Sequence, residues 1–171
     1  NIPDLTYENF LNFHRTYYHP SNSYIYLYGN MDMEEKLAFL DEHYLSHFDY
    51  LDVDSVIQEQ KAFGACQDVT LEYPVAENEG EEDNTYLSYN MVVGNAADSQ
   101  MAMAFEVLDY ALLSAPGAPL KQALLDVKAG KDVYGSYDDG ILQPYFTVIA
   151  KGSNPDRKEE FVSVIRQVLG D

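Results

Sequence analysis

The stretch DVYGSYDDGILQPYFTVIAK, residues 132–151, decides the fold. Asp132–Tyr137 and Tyr145–Lys151 are rich in β-branched and aromatic residues, the composition of strands. Asp138, Asp139 and Gly140 lie between them and supply turn chemistry, so the stretch reads as an antiparallel hairpin. Helical pattern flanks it on both sides. Leu120–Val127 reads as a short helix before it. Asp156–Leu169 reads as a longer one after it, with Pro155 near its first turn and Phe161, Ile165 and Val168 on its apolar stripe.

Upstream, Ser114–Pro119 breaks a helix that Asp98 caps and that runs through Met101, Phe105, Leu108 and Leu112. Met103, Val107 and Tyr110 fall off that stripe, so the helix is apolar nearly all round, which predicts a central position. Gln67–Val75 alternates like a strand, and Thr85–Val93 is a second. The acidic run Glu77–Asp83 between them reads as the solvated tip of a hairpin. The expected fold class is therefore α+β, an antiparallel-rich sheet with helices packed on one face.

The first third of the chain has its own order. Thr6–Tyr18 reads as a helix through Phe10, Phe13 and Tyr17, closed by Pro20. Ser23–Gly29 reads as a strand with Tyr24, Tyr26 and Tyr28 on one face and Ile25 and Leu27 on the other. Asp32 caps a further helix, Met33–Phe48, expected to be buried through Leu37, Leu40, Tyr44 and Phe48. Asp49–Cys66 has weak periodicity and reads as a linker. The domain expectation is 1–48 as an α-β-α segment, 49–66 as a linker, and 67–171 as a ββααββα segment.

Charge narrows the partners. Ten Lys and Arg stand against 29 Asp and Glu, net −19, with −8 over residues 1–66 and −11 over 67–171. No window offers the basic patch that phosphate neutralisation needs, so nucleic acid is not an expected partner. Anionic membrane surfaces are disfavoured for the same reason, and no apolar run approaches the roughly 18 residues of a membrane span. The 46% apolar and 13% aromatic content is enough to build a core. One cysteine, Cys66, excludes an internal disulfide framework and fits a reducing compartment. The opening Asn1–Asp4 has neither the basic nor the apolar region of a signal peptide, which points to the cytoplasm. Both ends read as cuts in a longer polypeptide.

Catalytic chemistry finds no local support. His43 and His47 are four apart, but Tyr44 stands where H-E-x-x-H needs Glu, and Ser46 where H-x-x-E-H needs it. Without that carboxylate no general base would activate a metal-bound water. His14 and His19 flank Tyr17 and Tyr18 at a helix end, where a cation near the C-terminus or packing explains them. Gly135, Ser136 and Tyr137 lack the second glycine of a nucleophile elbow, Cys66 has no histidine near it in sequence, and no phosphate-cradling glycine loop occurs. Asp138 and Asp139 read as turn formers.

Two sets of residues carry a resemblance. YYHPSNSY, residues 17–24, running into a strand that ends at Gly29, Asn30, Met31 and Asp32, resembles the close of the first domain of pitrilysin/insulinase-type zinc metallopeptidases, with wording similar to the presequence-protease subfamily. Ala118, Pro119 and Leu120, then GSYDD at 135–139, Gln143 and Pro144, and IAKG at 149–152 resemble that subfamily's second domain. The resemblance implies a clamshell of four homologous α+β domains enclosing unfolded peptides, with zinc held in the first domain by the H-x-x-E-H histidines and a distant Glu.

At the equivalent place in the second domain stands QMAMAFEVLDY, residues 100–110, without a histidine. No catalytic, cofactor-binding or metal-binding residue therefore carries over, and the chain alone is expected to be inactive, with zinc belonging to the parent. The expected partners are the rest of the polypeptide and, in the parent, peptide substrate. A catalytically inactive homologue acting as a structural or peptide-binding subunit is the alternative. A domain homologous to the first would also need its own closing α-β-α segment. Residues 1–48 are expected to supply one by swapping, to this chain or to a second copy in a homo-oligomer.

Overall fold

A computed structural model of the chain describes residues 2–170. It divides into two compact units, Asn1–Gln58 and Glu59–Asp171.

In the first unit, α1 (Tyr7–Tyr17) begins where the Thr6 hydroxyl accepts a hydrogen bond from the Asn9 amide, 3.1 Å. Helix α2 (Met33–His43) begins where the Asp32 carboxylate accepts from the Glu35 amide, 3.0 Å. Each cap satisfies an amide that has no partner inside the helix. Between them, Pro20–Asn22 forms a 3-10 turn in which His19 Nδ1 accepts from the Ser21 amide at 3.2 Å. The chain folds back on this turn. The Leu51 amide donates to Ser21 Oγ (3.1 Å), and Ser55 Oγ donates to Asn22 Oδ1 (2.7 Å).

Two sequence expectations fail in this unit. Ser23–Gly29 is not a strand, and Tyr24, Tyr26 and Tyr28 are exposed. A lone run with high β propensity has nowhere to place its backbone hydrogen bonds unless a second strand runs beside it. Helix α2 stops at His43 instead of Phe48, and Leu37, Tyr44 and Phe48 are exposed. No described residue of this unit is buried.

The second unit holds the core. Strands β1 (Thr85–Val92), β2 (Asp132–Asp138) and β3 (Tyr145–Ser153) form an antiparallel sheet in the order β1-β3-β2. The hairpin read from residues 132–151 is present, with Val133 opposite Ala150 and Tyr137 opposite Phe146. Strand β1 closes the other side, with Leu87 opposite Ala150 and Met91 opposite Phe146.

Period two sends alternate side chains to one face. There Leu87, Val133, Phe146, Val148 and Ala150 meet Leu113, Leu120, Leu124, Phe161 and Ile165 from the helices. Those helices are α3 (Ser99–Asp109), a π-helical turn at Tyr110–Ser114, α4 (Pro119–Asp126) and α5 (Lys158–Gly170). The architecture is an α+β fold, a small open antiparallel sheet with helices on one face.

Two further expectations change. Gln67–Val75 forms no strand, so the expected hairpin with β1 is absent, and Val69 and Leu71 are exposed. Single contacts replace a ladder. Tyr73 Oη donates to the Asn84 carbonyl, its ring stands 5.8 Å edge-on from Tyr86, and Lys158 pairs with Asp68. Helix α3 is also not enclosed. Phe105 and Leu112 pack against the core, whereas Met103, Val107 and Tyr110 are exposed.

Candidate functional site

The strand period that fills the core builds a second surface on the opposite side of the sheet. It carries Tyr86, Ser88 and Asn90 of β1, Tyr145, Thr147, Ile149 and Lys151 of β3, and Tyr134 and Ser136 of β2. Tyr86 and Tyr134 are 47% and 39% exposed, large enough fractions for both rings to touch a partner.

The polar groups between the rings are held in place. Thr147 Oγ1 donates to Asn90 Oδ1 at 2.9 Å, and Asn90 Nδ2 donates to Ser88 Oγ at 2.9 Å. The Lys151 ammonium lies 5.8 Å from the centre of the Tyr86 ring, a cation–π distance. Thr147 is itself buried, so what this face offers a partner is the Tyr86 and Tyr134 rings beside the exposed Ser88 and Asn90, apolar contact and hydrogen bonds together, which suits an extended polypeptide.

At one end of this face Tyr145 Oη donates to Asp138 Oδ2 at 3.0 Å, while Asp138 Oδ1 accepts from the Gly140 amide at 3.0 Å. The hydrogen bond to Asp138, and that residue's negative charge, push the Tyr145 phenol above its ordinary range. Tyr137, stacked on Phe105 at 5.5 Å, is raised by burial and by the charges of Asp139, Glu106 and Asp98. These tyrosines are proton-bearing hydrogen-bonding groups at neutral pH.

The residues with metal or nucleophilic potential do not assemble. His43 is the last residue of α2 and His47 lies in the 3-10 turn that follows, so the pair does not share one helix. His43 rests against Phe39 (4.5 Å), His14 stacks on Tyr18 (4.7 Å), and His19 meets the edge of Phe48 (5.4 Å). Cys66 is exposed and unpaired. Among the described residues no three His, Cys, Asp or Glu come together to hold a metal ion, and α3 has no histidine. The donor set here does not fit zinc.

The family described as "Peptidase M16 inactive domain" matches residues 4–171. The chain belongs to that family. Protein HypA of Clostridium perfringens is 46% identical over 170 residues, covering 99% of this chain and 18% of that protein. The presequence protease 1, chloroplastic/mitochondrial, of Arabidopsis thaliana is 32% identical over 173 residues, 99% of this chain and 16% of that protein. The mitochondrial presequence protease of Xenopus laevis is 28% identical over 176 residues, 100% of this chain and 17% of that protein. The chain thus spans less than a fifth of the length of these relatives. It is a non-catalytic M16 domain related to the presequence proteases. No helix among the described residues is long and apolar enough to cross a membrane.

Proposed function

We propose that this chain is part of the wall of a peptide-enclosing chamber in a longer zinc metalloendopeptidase that degrades unfolded peptides. The sheet face on which Tyr86 and Tyr134 stay partly exposed is then its peptide-facing surface. That face is the observation that carries the reading, because partly exposed tyrosine rings beside fixed hydroxyl and amide groups can meet both the side chains and the backbone of a peptide. Membership of the M16 inactive-domain family supports it, as does the kinship with proteins named presequence proteases.

On this reading residues 1–48 close the preceding domain, 49–66 link, and 67–171 begin the second, non-catalytic domain. The rest of the polypeptide and the peptide substrate are the partners, and zinc sits in the parent's first domain. Net charge −19 favours basic peptides by steering them toward the chamber. The lone, unpaired Cys66 suits a reducing, cytoplasmic setting.

The test is made in the parent protein with Tyr86→Ala and Tyr134→Ala and an unstructured basic peptide as substrate. KM should rise several-fold, with kcat little changed, and chelation should abolish turnover. A parent with no chelator-sensitive cleavage and a degenerate H-x-x-E-H motif would make this an inactive scaffold subunit instead. An unchanged KM in both variants would remove the sheet face from peptide contact.

A further inference from the structure

Helix α3 turns one stripe to the core and another to solvent. Met103, Ala104 and Val107, continued by Tyr110 and Ala111 into the π turn, recur three and four residues apart and so share one face. Met103, Val107 and Tyr110 are 67%, 62% and 61% exposed, and Ala104 and Ala111 are exposed beside them. None of the five carries a charge. The two alanines leave room for a neighbouring helix axis to approach closely, with Met103 and Val107 as ridges.

We propose that this face seats a helix supplied by the same parent polypeptide from outside these 171 residues. The proposal rests on the reading above that the chain is part of a longer M16 protein. The matched relatives provide the material, since this chain covers only 16–18% of their length. Charge argues against a second copy, because two chains of −19 each would repel on approach. Covalent continuity removes the need for high intrinsic affinity. A tethered helix binds in an intramolecular step, so a modest intrinsic affinity is enough to seat it.

The face is read by thiol labelling. Val107→Cys is introduced into the parent and into the 171-residue chain, the chain also carrying Cys66→Ser, and maleimide modification at position 107 is followed by mass spectrometry. Met103→Cys is a second reporter that keeps the test open where one variant folds poorly. Labelling should be at least about tenfold slower in the parent, where position 107 reacts only on local opening. In the chain it should be fast at every concentration.

Equal rates in parent and chain would overturn the proposal. So would protection in the chain, with a second copy as occupant when that protection disappears on dilution. Peptidase activity and zinc content of the parent are measured alongside. An inactive parent with position 107 protected would defeat the chamber reading and leave this one standing.

Discussion

Asp83 and Asn154, 71 residues apart, hold each other by two reciprocal hydrogen bonds. The Asp83 amide donates to Asn154 Oδ1 (2.9 Å), and Asn154 Nδ2 donates to Asp83 Oδ1 (2.7 Å). Lys131 Nζ adds an ion pair to Asp83 Oδ2 at 3.2 Å. Asp83 sits at φ 57°, a left-handed conformation that a non-glycine residue keeps only when its surroundings hold it there. These contacts fix the last residue of the acidic run Glu77–Asp83 to the end of β3, although four further acids precede it.

Asn154→Ala should therefore free the acidic loop. Cleavage by a Glu-specific protease within residues 77–82 is expected to quicken at least about tenfold, with the core unchanged, because only local opening is affected. The Asn154 hydrogen bond, then Lys131, hold the Asp83 carboxyl below its ordinary value. A lowered folded-state pKa means the contribution is present above about pH 3.9 and fades as pH falls through the folded value. Protection of the loop in the native protein should fade over that acid range, and in the variant it should be missing at neutral pH already.

Gly135 is a steric requirement of β2. A Cβ there would lie 2.1 Å from the Thr147 carbonyl oxygen and 2.5 Å from Leu113 Cδ1. The backbone oxygen cannot move without breaking the β2–β3 ladder. Gly135→Ala is expected to destabilise the second unit by on the order of 3 kcal/mol, from overpacking at a backbone contact. Urea unfolding followed by tyrosine fluorescence checks it, and a loss below about 0.5 kcal/mol would contradict the packing described.

The Gly135 hairpin was also the most legible part of the sequence. Its strand composition, its Asp138–Gly140 turn and its alternation all agree, and β3 lies at the sheet centre with partners on both sides. Caps were equally readable, since Thr6, Asp32 and Asp98 act through neighbours two or three residues away. What failed depended on distant partners. Ser23–Gly29 and Gln67–Val75 have the alternation of strands, but β propensity describes fitness for a sheet position and supplies no neighbour.

Spacing does show that Tyr44 and Ser46 occupy the places where either histidine–glutamate motif needs its glutamate, and the structure puts His43 and His47 in separate elements. The tyrosine-bearing sheet face was missed. Its signal is the even-numbered polar parity of Tyr86, Ser88 and Asn90, which becomes a surface only once the register with Lys151, Ile149 and Thr147 is known.

The two units should respond differently to truncation. Phe161 is 1% exposed within the core cluster, whereas Phe13 on α1 is 59% exposed. Phe161→Ala should cost about 3–5 kcal/mol through lost burial and a cavity. Phe13→Ala should stay within about 0.5 kcal/mol, as surface changes do. Denaturant titration of the two variants checks the contrast, and comparable losses would mean that α1 has a buried face in solution.

Asp109 closes α3 with a carboxyl oxygen, Oδ1, that is shielded from solvent and has no hydrogen-bond partner. Burial pushes its pKa above the ordinary carboxylate value. The folded state then holds the proton more tightly than the unfolded chain, so this residue's effect on stability worsens as pH rises above about 3.9. Asp109→Asn removes the charge at nearly constant shape and should stabilise the protein at pH 7 by about 0.5–1 kcal/mol, a figure reduced for partial access to solvent. The gain should vanish below about pH 3.5, where Asp109 is neutral in both states. Thermal melts of the two proteins from pH 3 to 8 measure it. A pH-independent difference, or a loss at pH 7, would show that the carboxylate has a partner in solution.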